Sequence, residues 1–194
     1  MHRHPRIVGG FPTLLLDFEP SNFKYQDVRD SIFPLLSKRD QKLVEWLEYG
    51  LKPENLSHYF YYRIKSFKNH FLNEYFEFDK ILRTLKVDYL QKREPSIEFD
   101  DIQEVTTILN MDNILLREQQ YDKYIWEKVD QIVVMDILNI DLILAFLVKS
   151  KIVERWCTLD KSVGQQLLAT LISEVRGTFK GVEFNEKYNK DTII

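Results

Sequence analysis

Glycine is missing from residues 51–163, and between Pro53 and Gly164 the one proline is Pro95. Tight hairpins and phosphate-cradling loops rest on glycine-bearing turns, so neither is expected in that stretch. A chain runs this far without glycine by forming helices and joining them through polar caps. Gly-x-Ser-x-Gly, a Walker A loop and Gly-x-Gly-x-x-Gly are all absent, and Gly9-Gly10 alone reads as a turn. Cysteine is scarcer still. Cys157 stands alone, which excludes an intrachain disulfide and a multi-cysteine zinc site and leaves a lone buried thiol. No charge sign dominates, because 27 Lys and Arg face 30 Asp and Glu for a net charge of −3. A basic stripe able to neutralise phosphates is lacking, so nucleic acid is not an expected partner. The longest apolar run, Ile137 to Val148, is broken by Asn139 and Asp141 and is too short and polar to cross a bilayer. Met1-His-Arg-His-Pro-Arg lacks an apolar signal region. The expected protein is cytoplasmic, with no direct membrane insertion.

What is present suits a packed helical body. Hydrophobic residues make up 44%, charged residues 29% and aromatics 13% of the 194 residues, enough for a substantial core rich in rings. The expected fold class is all-α: an elongated helical bundle of one or two lobes with a short extended N-terminal segment. Residues 1–20, with Pro5, Pro12 and Pro20, read as that extended entry. Residues 21–95 form an N-terminal lobe, 96–180 a C-terminal lobe joined near Pro95-Ser96, and 181–194 a flexible tail.

Within these bounds, Ser21 is placed to cap a helix from about Asn22 to Leu36. Ser37-Lys-Arg-Asp40 has capping-box spacing before a helix bearing Leu43, Val44, Leu47 and Leu51, with Gly50 as its stop. Pro53 opens the next helix, about 54–62. Phe71, Tyr75, Phe78, Leu82, Leu85 and Tyr89 follow at steps of 4, 3, 4, 3 and 4, which predicts a long helix over about 66–93 with a coiled-coil-like seam. Asp100 or Asp101 caps a helix carrying Ile102, Val105, Ile108 and Leu109. A further face carries Tyr121, Ile125, Val129, Ile132 and Val133. Asn139 caps 141–153, with Leu142, Ile143, Phe146 and Leu147 inside. Thr158 or Asp160 starts a last helix with Val163, Leu167, Leu168, Leu171, Ile172 and Val175 inside and Gly177 as its stop.

No chemistry-bearing constellation emerges. His2 and His4 form a pair at the terminus, and His58 and His70 lack a carboxylate motif such as His-Glu-x-x-His. Glu74 and Glu77 share a helix face, yet the Glu-x-x-His partners of di-iron bundles are missing. The sequence nominates no catalytic, cofactor-binding or metal residue, and a non-enzyme is expected. Asn55-Leu-Ser57 matches a glycosylation sequon without consequence for a chain lacking a secretory signal. The run Tyr59-Phe-Tyr-Tyr62 is more informative. Four adjacent rings point in every direction around a helix, so at least one must face away from the core, and tyrosine favours interfaces.

Four segments in order carry a resemblance: Val8-Gly-Gly-Phe-Pro-Thr-Leu14; Phe33-Pro-Leu-Leu-Ser-Lys-Arg-Asp-Gln-Lys-Leu43; Asn69-His-Phe-Leu-Asn-Glu-Tyr-Phe-Glu-Phe-Asp79 with Leu82-Arg83; and Leu144-Ala-Phe-Leu-Val-Lys149 with Ile152-Val-Glu-Arg-Trp156 and Leu159-Asp160. Together they resemble the C subunit of V-type and A-type rotary ATPases, called d in the eukaryotic enzyme, in a compact uncharacterised bacterial branch. The resemblance implies a non-catalytic central-stalk adaptor with stalk and membrane-ring subunits as partners, no small-molecule substrate and no cofactor. It also implies a peripheral position on the inner face of the membrane through other subunits. A helical protein-binding scaffold in an unrelated complex is the alternative.

Overall fold

The computed structural model describes residues 4–18, 22–133, 139–159, 166–167 and 169–173, and among these it is helical with no strand. The all-α expectation holds. Two compact units divide after Cys157: Met1–Cys157 and Thr158–Ile194. A boundary near Pro95-Ser96 is expected from sequence, yet the helices on either side of that turn pack against one another.

The first unit opens with a one-turn helix, α1 (Pro5–Val8), where the sequence suggests extended chain. Residues 11–18 then run along the last helix of the unit. The Phe11 ring stacks on Phe146 at 4.0 Å, and Phe18 meets Trp156 edge-on at 4.9 Å. Next comes α2 (Tyr25–Ile32), with Pro34 in the 3-10 turn Phe33–Leu35 that ends it. Its first N–H has a partner no local reading could supply, because Tyr25 N donates to Glu154 Oε1 at 2.8 Å, from 129 residues away. Ser21, the expected cap, lies outside the described residues.

Helix α3 (Lys38–Gly50) starts at Ser37 as expected, with Asp40 N donating to Ser37 Oγ at 3.2 Å. Its end differs in cause. Gly50 is not left-handed, and the C-cap Leu51 keeps a right-handed backbone with φ −67°. The glycine is needed for space: a Cβ there would stand 2.3 Å from Phe60 Cζ and 2.4 Å from Phe76 Cζ. Pro53 begins a 3-10 turn, Pro53–Asn55, and the true start of α4 (His58–Ser66) is Ser57, whose Oγ accepts from Phe60 N.

The long helix is α5 (His70–Leu90), capped by Asn69 and shorter at both ends than the periodicity suggests. Three helices complete the unit: α6 (Ile102–Leu109), α7 (Ile114–Ile132) and α8 (Ile140–Cys157). No glycine ends α4 or α5. Lys68 and Lys92 occupy the left-handed position after each helix, at φ 50° and 53°. At α5 the bonds Arg93 N to Asp88 O and Lys92 N to Tyr89 O complete the Schellman pattern that glycine ordinarily closes.

The seam of α5 is core, divided between two clusters. Phe71, Leu72, Tyr75 and Phe76 join Leu47, Phe60 and the apolar run Ile143–Val148 of α8. Phe78, Leu82 and Leu85 join Val105, Ile108, Leu109 and Tyr124. One helix therefore walls both. Helix α8 is buried nearly all round, with Leu142 half-buried where an inward position is expected.

Within the second unit, residues 169–173 are helical and Leu167, Leu171 and Ile172 are exposed rather than inward. Asp160, Val163, Leu168, Val175, Gly177 and the tail 181–194 lie outside the described residues.

Candidate functional site

The histidines and the Glu74–Glu77 pair are scattered. His58 and His70 are each the first residue of a helix and exposed. His4 Nε2 faces Asp40 Oδ2 at 3.3 Å, and both side chains are nearly buried. His2 lies outside the described residues. Glu74 and Glu77 are exposed on the outer face of α5, and no group of three His, Cys, Asp or Glu placed to hold a metal occurs among the described residues. Asp101 is the N-cap residue of α6, as expected, but its side chain accepts from no helix N–H. It pairs instead with Lys128 and accepts from Tyr124 Oη at 3.0 Å, and the Lys128 ammonium holds its carboxyl below the usual range. Cys157 is half-buried rather than enclosed. The tyrosine run behaves as the geometry requires: Phe60 is fully buried, Tyr61 is half-buried, and Tyr59 and Tyr62 are exposed.

Two buried acids serve structure. Asp122 accepts from Trp156 Nε1 at 2.6 Å and from Arg155 at 3.3 Å, tying α7 to α8. Burial pushes its carboxyl above the usual range, against the pull of Arg155 and Trp156. Asp141 accepts from Asn69 Nδ2 at 2.6 Å, joining the start of α8 to the cap of α5.

Beside that junction lies a recess of about 300 Å³, lined in part by Arg39, Phe67, Lys68, Asn69, His70 and Asn139. The starts of α3, α5 and α8 meet here, and each cap takes one local N–H group. Ser37 takes Asp40 N, Asn69 takes Leu72 N and Asn139 takes Asp141 N. The acids are engaged as well, Asp40 by Ser37 Oγ at 2.7 Å and Asp141 by Asn69. The recess thus presents the side-chain cations Arg39 and Lys68 beside these capped helix starts.

The second surface is apolar. Helices α5 and α7 run antiparallel, with Phe78 against Tyr124 at 5.9 Å and Lys86 against Glu118 at 3.6 Å. Continuing that register brings the end of α5 beside the start of α7. Val87 and Leu90 from one, and Ile114, Leu115 and Leu116 from the other, are all exposed there. Three adjacent exposed aliphatics at a helix start exceed the scatter expected of an ordinary surface. Sequence periodicity does not find this patch, because its members come from two helix ends separated by the α6 excursion. No helix among the described residues is long and apolar enough to cross a membrane.

A family model described as "Protein of unknown function (DUF2764)" matches residues 91–178, from the turn after α5 through α8 and beyond. No curated protein and no solved structure matches the chain.

Proposed function

We propose that the chain is a non-catalytic adaptor subunit of a V/A-type rotary ATPase or ATP synthase, joining the rotor stalk to the membrane ring in ion transport. The observation that carries this reading is the ordered set of four sequence segments resembling the C subunit. Three of them fall mainly on α3, α5 and α8, helices that share one core. An adaptor that passes rotation must be stiff. The interlocked rings of Trp46, Phe60, Phe71, Tyr75 and Phe76 supply a rigid interior. It must also dock at more than one place, and the exposed apolar helix end beside α7 supports docking. On this reading the protein sits at the inner face of the membrane through its partners.

The test is co-expression with the central-stalk subunits of the same organism's rotary ATPase, read by size exclusion with light scattering. A stable stoichiometric complex is expected. A monomer that binds neither the stalk nor the membrane ring would overturn the reading in favour of a helical scaffold for another complex. The apolar helix end would serve that role equally well.

A further inference from the structure

The outer face of α3 carries Arg39, Lys42, Trp46 and Tyr49 at steps of three, four and three, which is one stripe of a helix. Arg39, Lys42 and Tyr49 are exposed and Trp46 is half-buried. Trp46 lies 5.7 Å from the Phe67 ring and 5.5 Å from Tyr49, and the Arg63 guanidinium stands 6.0 Å from its ring. Phe67, Lys68 and Arg39 continue from this aromatic wall into the recess beside Asn69. Tryptophan, tyrosine and arginine side by side are the residue types that dominate binding energy at interfaces.

Four cations without an ion-pair partner among the described residues gather on this face. On α5, α7 and α8 most cations are paired: Arg83, Lys86, Lys128, Lys149, Lys151 and Arg155 each lie within 4.0 Å of a carboxylate, whereas Lys80 and Arg117 have no such partner among the described residues. Arg39, Lys42, Arg63 and Lys68 have no such partner among the described residues. The recess acids, Asp40 and Asp141, are held by Ser37 and Asn69. Glu45, exposed three residues after Lys42, flanks the stripe without forming an ion pair with it. Lys68 also keeps a left-handed backbone that glycine would adopt more easily.

We infer that this face binds an acidic segment of a partner protein. Carboxylates of the segment pair with Arg39, Lys42 and Lys68, and an apolar or aromatic residue of it rests on Trp46 and Phe67 at the mouth of the recess. The shape favours a peptide over a bilayer, since the apolar rings are half-buried beside a concavity rather than protruding. The net charge of −3 disfavours a long polyanion such as nucleic acid. The inference rests on the adaptor reading only in naming the chemistry of one partner surface.

The probe is a dye-labelled peptide of glutamates interspersed with phenylalanine, read by fluorescence anisotropy against the intact chain at low salt. Binding is expected to weaken with added salt. It should fall at least tenfold in Arg39→Glu/Lys68→Glu, and again in Lys42→Glu, while Lys123→Glu on α7 leaves it unchanged. Because Arg39, Lys42 and Lys68 are exposed, the circular dichroism melt of each variant should match the parent. Equal binding by the charge-reversed variants, or no peptide binding by the parent, overturns the inference. So does tighter binding to anionic phosphatidylglycerol vesicles or to single-stranded oligonucleotide than to the peptide. The stalk co-expression experiment is independent of these outcomes: a stalk complex formed by a parent that ignores the peptide sinks this inference alone.

Discussion

Replacing Gly50 with alanine places a methyl group where two rings already stand. The new Cβ would lie 2.3 Å from Phe60 Cζ and 2.4 Å from Phe76 Cζ. Carbon atoms rest comfortably at about 3.5–4.0 Å, so each ring must retreat by about 1 Å or more. Neither has room. Both are at most 1% exposed and pack edge-to-face on each other at 4.8 Å. Trp46, Tyr49 and Tyr61 crowd Phe60, and Tyr75 crowds Phe76. Overpacking of a tight core costs about 1–3 kcal/mol. Alanine returns at most about 1 kcal/mol as the better helix former, and less at the last helical position. A net loss of about 1–2 kcal/mol is expected. Urea unfolding followed by circular dichroism should show a lower midpoint with an unchanged slope. Phe76→Leu in the same chain should relieve part of the loss, giving a coupling of about 1 kcal/mol in a double-mutant cycle. An unchanged or raised midpoint for Gly50→Ala would refute the claim that ring contact dictates this glycine.

Leu82, 1% exposed in the second cluster, should cost about 2–5 kcal/mol on replacement by alanine, read from the same urea transition. Asp122 has a raised folded-state pKa, so the native state holds its proton more tightly than the unfolded chain does. The parent should therefore gain stability relative to Asp122→Asn as pH falls through that raised value, and lose it as pH rises. Thermal melts of both proteins between neutral and mildly acidic pH measure the sign, and a pH-independent difference would count against it. Lys92→Gly relieves a left-handed lysine in the Schellman turn and should stabilise by up to about 1 kcal/mol, with the gain appearing in the urea midpoint.

Fold class was readable because the helix signals are local. Ser37, Ser57 and Asn69 sit where their side chains accept the N–H three residues on, and the period of the α5 seam matches the faces it buries. Of these caps, Ser37 alone follows from capping-box spacing, since Pro53 signals a helix start that proves to be a 3-10 turn ahead of Ser57. What stayed hidden is non-local. Glu154 caps α2 across 129 residues, and Gly50 is required by rings from two other helices. The exposed status of Tyr59 and Tyr62 followed from helical geometry alone. Two features depend on which elements lie side by side, and no spacing within one segment encodes them. One is the apolar helix end built from Leu90 and Ile114; the other is the meeting of Arg39 with Lys68 across the recess.

Helix α5 belongs to both hydrophobic clusters, and that bears on how the first unit comes apart. Amides around Phe71 and around Leu85 lie on one continuous helix, which ties the opening of one cluster to that of the other. Native-state hydrogen exchange should therefore find the slowest amides of α5 leaving together, as one cooperative unit. A fragment cut at Pro95 would keep the helix but lose the α6 and α7 side chains that cover Leu82 and Leu85. It would carry an open apolar flank, and its own self-association would be the first sign.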